Sequence, residues 1–153
     1  MALQAIGTLP TAPYFLTYYN PLLGGGARAP AVMMVGWGEG LDEAARYLNA
    51  RGAGRDLRAL SWYSIGPFSY FFRGRTFHFD GAWDPTKAAE VAQSDYVVLY
   101  VNQWQRRMLP RELLSILADR PLERSVTLNG IEYVRIYRVR ETTGAAGVGP
   151  GRR

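Results

Sequence analysis

The sequence predicts an α/β fold: a Rossmann-like three-layer sandwich whose mostly parallel sheet is closed by a C-terminal antiparallel hairpin. Three observations carry this expectation. From Ala31 onward, short apolar runs alternate with stretches of helical periodicity, the order that builds parallel sheets through crossover helices. Within Asp95–Val101 every residue after Asp95 is apolar or aromatic, as in a strand buried on both faces. Near the end, Asn129-Gly130 separates two strand-like runs, a strong short hairpin signal.

Residues 1–30 read as an extended lead-in, because Pro10, Pro13, Pro21 and Pro30 oppose a long helix and Gly24-Gly25-Gly26 is permissive. The aromatics of Tyr14-Phe15-Leu16-Thr17-Tyr18-Tyr19 either pack onto the domain or sit at a membrane–water interface, where amphipathic rings are favoured. Residues 31–140 form the α/β domain. Ala31–Val35 is expected as the first and central strand, with the next two strands on one side and the fourth on the other. Leu41–Ala50 places Leu41, Ala44, Ala45 and Leu48 on one helical face, and Gly52-Ala53-Gly54 ends that helix. Leu57–Trp62 is a strand, Ile65–Phe72 a short helix and Thr76–Phe79 a short strand. Pro85–Gln93 is a helix with Asp84 as N-cap and Pro85 at its first position. Asp95–Val101 is the fourth strand, Pro110–Ala118 a helix, and Ser125–Leu128 with Ile131–Val139 the hairpin. Residues 141–153 are Gly-rich without periodicity and are expected to be disordered.

Composition narrows the function. At 153 residues, with 48% apolar and 13% aromatic side chains, the chain suits one folded domain. It has no cysteine, which excludes disulfides, zinc ribbons and thiol nucleophiles. The charge is +5, carried by arginine with Lys87 as the single lysine. These arginines are scattered rather than interleaved with aromatics, so no specific nucleic-acid partner is expected. The sequence has no stretch of about twenty apolar residues, so no complete transmembrane helix is expected, and Met1–Gly7 is too short for a signal peptide.

Candidate chemistry concentrates after the strands. Gly36-Trp37-Gly38-Glu39-Gly40 joins an apolar run to a helix, an arrangement that cradles anionic ligands on backbone N–H groups or turns a structural corner. Its G-x-G-x-G spacing is nearer to S-adenosylmethionine-dependent methyltransferases than to dinucleotide folds. Yet Met33-Met34 and Trp62-Tyr63 occupy the places where such enzymes carry acidic residues, and Trp37 would crowd a cofactor. Trp62, Tyr63, Trp83, Asn102, Gln103 and Trp104 follow strands, where α/β folds present ligands. Aromatics with amides suit sugar stacking and hydroxyl recognition; they equally suit covering the end of a sheet. His78 is the only histidine and has no partner for a metal site. Asp42 and Glu43 suit the first turn of a helix; Glu39, Asp80 and Asp84 complete the acids near the sheet edge. Nothing in this set demands catalysis. Candidate ligand-binding residues are therefore Gly36, Trp37, Gly38, Glu39, Gly40, Trp62, Tyr63, Asn102 and Gln103, with no catalytic residue, cofactor or metal ligand assigned.

Three blocks carry a family resemblance. Pro13-Tyr14-Phe15-Leu16-Thr17-Tyr18-Tyr19-Asn20-Pro21-Leu22-Leu23-Gly24-Gly25 is joined to Val35-Gly36-Trp37-Gly38-Glu39-Gly40-Leu41-Asp42. Asp95–Gln103 and Leu128-Asn129-Gly130-Ile131-Glu132-Tyr133 follow. Over residues 10 to 139 the chain resembles the C-terminal extracytoplasmic portion of bacterial family 39 membrane glycosyltransferases, relatives of dolichyl-phosphate-mannose–protein mannosyltransferases. The resemblance implies a polyprenyl-phosphate sugar donor, a membrane domain in the same parent chain, and a location on the extracytoplasmic face against the membrane surface. The family's catalytic acid lies in a region with no counterpart here, so none is carried over. The resulting expectation is a non-catalytic soluble accessory domain contacting glycan or acceptor protein. Two alternatives stay open: a small methyltransferase-like enzyme using the Gly36–Gly40 turn, and an interaction module without a small ligand.

Overall fold

The computed structural model describes residues 9–51 and 56–140; the expected helix stop at Gly52–Gly54 and the expected tail over 141–153 lie outside them. Single 3-10 turns at Leu9–Thr11, Phe15–Thr17 and Pro21–Leu23 precede α1 (Gly25–Val32) and α2 (Leu41–Arg51). Then come β1 (Arg58–Ser61), α3 (Pro67–Phe71), β2 (Arg75–His78), α4 (Pro85–Gln93), β3 (Tyr96–Tyr100) and α5 (Val101–Gln105). The chain continues through α6 (Arg111–Ala118) to the hairpin β4 (Leu122–Leu128) and β5 (Ile131–Arg138).

The fold is α/β with one open five-stranded mixed sheet, ordered β2-β1-β3-β5-β4. β1 pairs parallel with β2 and β3, matching Leu60 with Phe77 and with Val97. β5 pairs antiparallel with β3 and β4, setting Val98 against Ile136 and Val126 against Val134. The sheet is thus mixed rather than mostly parallel. Along β3, Tyr96, Val98 and Tyr100 enter a core with α2 and Phe68 of α3. Val97 and Leu99 enter a second core with Val91 of α4 and Leu113 and Leu117 of α6. Alternate side chains therefore meet helices on opposite faces, which is why all five residues of β3 are buried.

The expected first strand is not a strand. Ala31 and Val32 close α1, and Met33–Val35 is unpaired. Its apolar residues suggested burial, yet Val32, Met33 and Met34 are exposed and only Val35 is buried. The backbone is satisfied by a side chain instead of a neighbouring strand. Gln105 donates through Nε2 to Pro30 O at 2.8 Å and accepts from Val35 N–H at 3.1 Å. The place beside β3 expected for Ala31–Val35 is held by β1.

Local signals elsewhere translate into structure. Asp84 accepts from Lys87 N–H at 2.8 Å and caps α4, the usual way to satisfy an orphan N-terminal donor. Asn129 and Gly130 adopt φ of 49° and 78°, as the tight hairpin requires. The lead-in is pinned at selected points: Tyr14 OH donates to Asp42 Oδ1 at 2.7 Å, Asn129 Nδ2 donates to Thr17, and Tyr19 packs on the core. Phe15, Leu16, Leu22 and Leu23 remain exposed.

Candidate functional site

At the carboxyl ends of the parallel neighbours β1 and β3 lies a groove of about 340 Å³. Three segments build it: Met34, Val35, Gly36 and Trp37 before α2, Trp62 and Tyr63 after β1, and Asn102 and Arg106 at α5. Of the nine candidates read from the sequence, Gly36, Trp37, Trp62, Tyr63 and Asn102 meet here. Gly38, Glu39, Gly40 and Gln103 do not line the groove.

Gly38, Glu39 and Gln103 support its wall through Tyr100, while Gly40 faces Val126 and Leu128 of β4. Tyr100, fully buried at the end of β3, accepts from Gly38 N–H at 2.8 Å and donates to Glu39 Oε2 at 3.1 Å. Glu39 Oε2 also accepts from Trp37 N–H at 2.6 Å. Burial raises the Tyr100 phenol well above its ordinary range; the Gly38 donor opposes this and the Glu39 charge adds to it. Gln103 is fully buried and its Oε1 accepts from Tyr100 N–H at 2.8 Å, closing the strand end.

The alternating glycines have a packing reason. Gly36, Gly38 and Gly40 have φ of 95°, 119° and 80°, where L side chains are strained. A Cβ on Gly36 would lie 2.6 Å from Val101 Cγ1, and one on Gly38 would lie 2.8 Å from Pro67 Cγ. The turn is a close-packed corner whose Trp37 and Gly38 amides are already engaged within the chain.

Within the groove, Tyr63 sits edge-on to Tyr100, with ring centroids 5.1 Å apart at 81°. Asn102 Nδ2 donates to the Tyr63 hydroxyl at 3.2 Å and fixes its direction. Trp37 is 80% exposed, presenting an indole face at the lip. Arg106 is the one charged side chain of the lining. The surface offers aromatic faces, an orienting amide and one cation.

Other candidates are structural. Trp83 and Trp104 pack against the cores. His78 Nδ1 lies 2.9 Å from Ser64 Oγ, tying the loop after β1 to β2. Asp42 receives Tyr14 OH and pairs with Arg46 at 2.8 Å. Asp80 accepts from Ala82 N–H, which lowers its carboxyl pKa. Among the described residues, no group of three or more His, Asp or Glu side chains is placed to hold a metal ion.

Three lining residues, Met34, Val35 and Arg106, were absent from the sequence candidates. Met34 and Val35 were assigned to a buried strand. Arg106 had a readable signal: it lies four residues after Asn102, one turn along the same helical face. Glu123 was also missed: its side chain, 5% exposed, pairs with Arg51 at 3.0 Å and with Arg138, and accepts from Tyr47 OH at 2.8 Å.

Fold and site together define an α/β domain with an aromatic groove at the carboxyl edge of a mixed sheet. No family model, curated protein or solved structure matches the chain.

Proposed function

We propose that this chain is a non-catalytic binding domain of a membrane glycosyltransferase, acting on the extracytoplasmic face and engaging a sugar of the acceptor or donor in its groove. The observation that supports the reading is the convergence of Trp37, Trp62, Tyr63 and Asn102 in one groove. Flat aromatic rings bury the apolar face of a pyranose, while an oriented amide and tyrosine hydroxyl discriminate its hydroxyls. The family resemblance of the lead-in and the glycine turn supplies the membrane enzyme as the parent assembly. No described helix is long and apolar enough to cross a membrane.

A methyltransferase-like cofactor at the glycine turn has less support, because Trp37 and Gly38 N–H groups are taken by Glu39 and Tyr100. Titration of the whole chain with neutral hexose oligosaccharides, mannobiose among them, and separately with S-adenosylmethionine tests both. Saccharide binding that Trp62→Ala abolishes supports the proposal. Tight binding of S-adenosylmethionine, or turnover of a polyprenyl-phosphate sugar by this chain alone, overturns it.

A further inference from the structure

Exposed apolar side chains flank α1 at both of its ends. Leu22 and Leu23 are 92% and 79% exposed, on a turn that packs against α1. At the other end of α1, Val32 is 76% exposed and Met33 and Met34 about half exposed. Gln105 bonds to Pro30 O and Val35 N–H, holding this segment beside Arg106 and Arg107 of the α5 terminus. Met34 then meets Trp37 at the lip of the groove. Scattered exposed apolar residues are ordinary; the adjoining Val32, Met33, Met34 and Trp37 are not scattered, and such a cluster marks an interaction surface.

Its charge identifies the partner. Residues 1–38 contain no Asp or Glu, and their one charged side chain is Arg28. Arg28 is exposed and its stem lies over Gly24. Arg106 and Arg107 border the far end and are exposed. Glu39, the first carboxylate of the chain, is held by Trp37 N–H and Tyr100 OH. Apolar side chains with an indole at their edge, cations around them and no acid among them complement an anionic bilayer surface. Leucine, valine and methionine enter the acyl boundary, tryptophan settles at headgroup level, and guanidinium groups meet phosphates.

We propose that the Leu22–Leu23, Val32–Met34 and Trp37 face docks on an anionic lipid bilayer. The groove then opens at the membrane–water boundary, since Met34 and Trp37 belong to both. This deepens the reading above and rests on it only in taking a membrane as the neighbour.

The test uses the whole chain with phosphatidylcholine vesicles, with and without phosphatidylglycerol, read by co-sedimentation and tryptophan emission. The chain co-sediments with the anionic vesicles, its emission moves to shorter wavelength, and added salt weakens binding. Val32→Glu with Met33→Glu lowers partitioning about tenfold or more. Both side chains are exposed and outside the groove, so circular dichroism and lipid-free saccharide titration stay as in the wild type. Failure of vesicle binding with saccharide binding intact sinks this inference alone; the reverse sinks only the groove reading. Wild-type chain left in the supernatant, or unchanged partitioning of the double variant, overturns the proposal. So does a lipid-free dimer that the double variant dissociates, because the face is then an interface between copies.

Discussion

The Tyr100 hydroxyl and the Glu39 carboxylate lie 61 residues apart in sequence and meet at 3.1 Å beneath the groove. That bond, with the Gly38 N–H donated to the same hydroxyl at 2.8 Å, fastens the glycine turn to the end of β3. Tyr100→Phe keeps the ring and its contact with Tyr63 while leaving the Gly38 amide without its acceptor. The variant is expected to lose about 1–3 kcal/mol, measured by urea unfolding, and to bind saccharide more weakly because the turn that carries Trp37 loses its tie to the end of β3.

Gly36→Ala and Gly38→Ala are expected to destabilise more than Gly130→Ala. All three residues have positive φ, which costs an alanine about 1–2 kcal/mol. Only the first two also drive a Cβ into neighbours under 3 Å away; Gly130 has nothing within 4 Å. Thermal unfolding of the three variants side by side checks the order.

Asp84→Ala removes the cap of α4 and is expected to cost about 1 kcal/mol. Asp84→Asn is expected to recover most of it, since an amide oxygen can accept from Lys87 N–H in the same geometry.

Glu123 gives the fold an acid-sensitive point. Burial opposes its ionisation, but the Tyr47 hydrogen bond and the Arg138 and Arg51 charges outweigh it, holding the carboxyl below its ordinary value of 4.5. A depressed folded pKa means the unfolded chain takes up the proton more readily. The contribution is therefore complete above about pH 4.5 and disappears as pH falls through the folded value. Glu123→Gln is expected to destabilise by about 2 kcal/mol at neutral pH, discounted because both arginines are partly exposed. Urea titrations across the acid range should show wild type and variant converging.

What was legible in the sequence follows the range of the signal. Asp84-Pro85 and Asn129-Gly130 act over a few residues, and both appear where the sequence placed them. Ala31–Val35 misled because apolar composition does not say whether side chains face a core. Here Gln105, 70 residues from Val35, satisfies the backbone a strand partner would have taken. In the site, Trp62, Tyr63 and Asn102 were legible because they directly follow strands. Gln103 was not separable from Asn102 by that rule: one helical step turns it into the core. The Glu123 cluster joins residues from α2, β4 and β5, and no local pattern announces it.

The groove at the ends of β1 and β3 is proposed to bind sugar through its aromatic wall. Calorimetric titration of wild type and Trp62→Ala with mannobiose and related hexose oligosaccharides tests it most directly. Saturable binding is expected for the wild type, weakened about tenfold or more in the variant, with both proteins equally folded by circular dichroism. No heat of binding from any saccharide, or equal affinity in the two proteins, would contradict it.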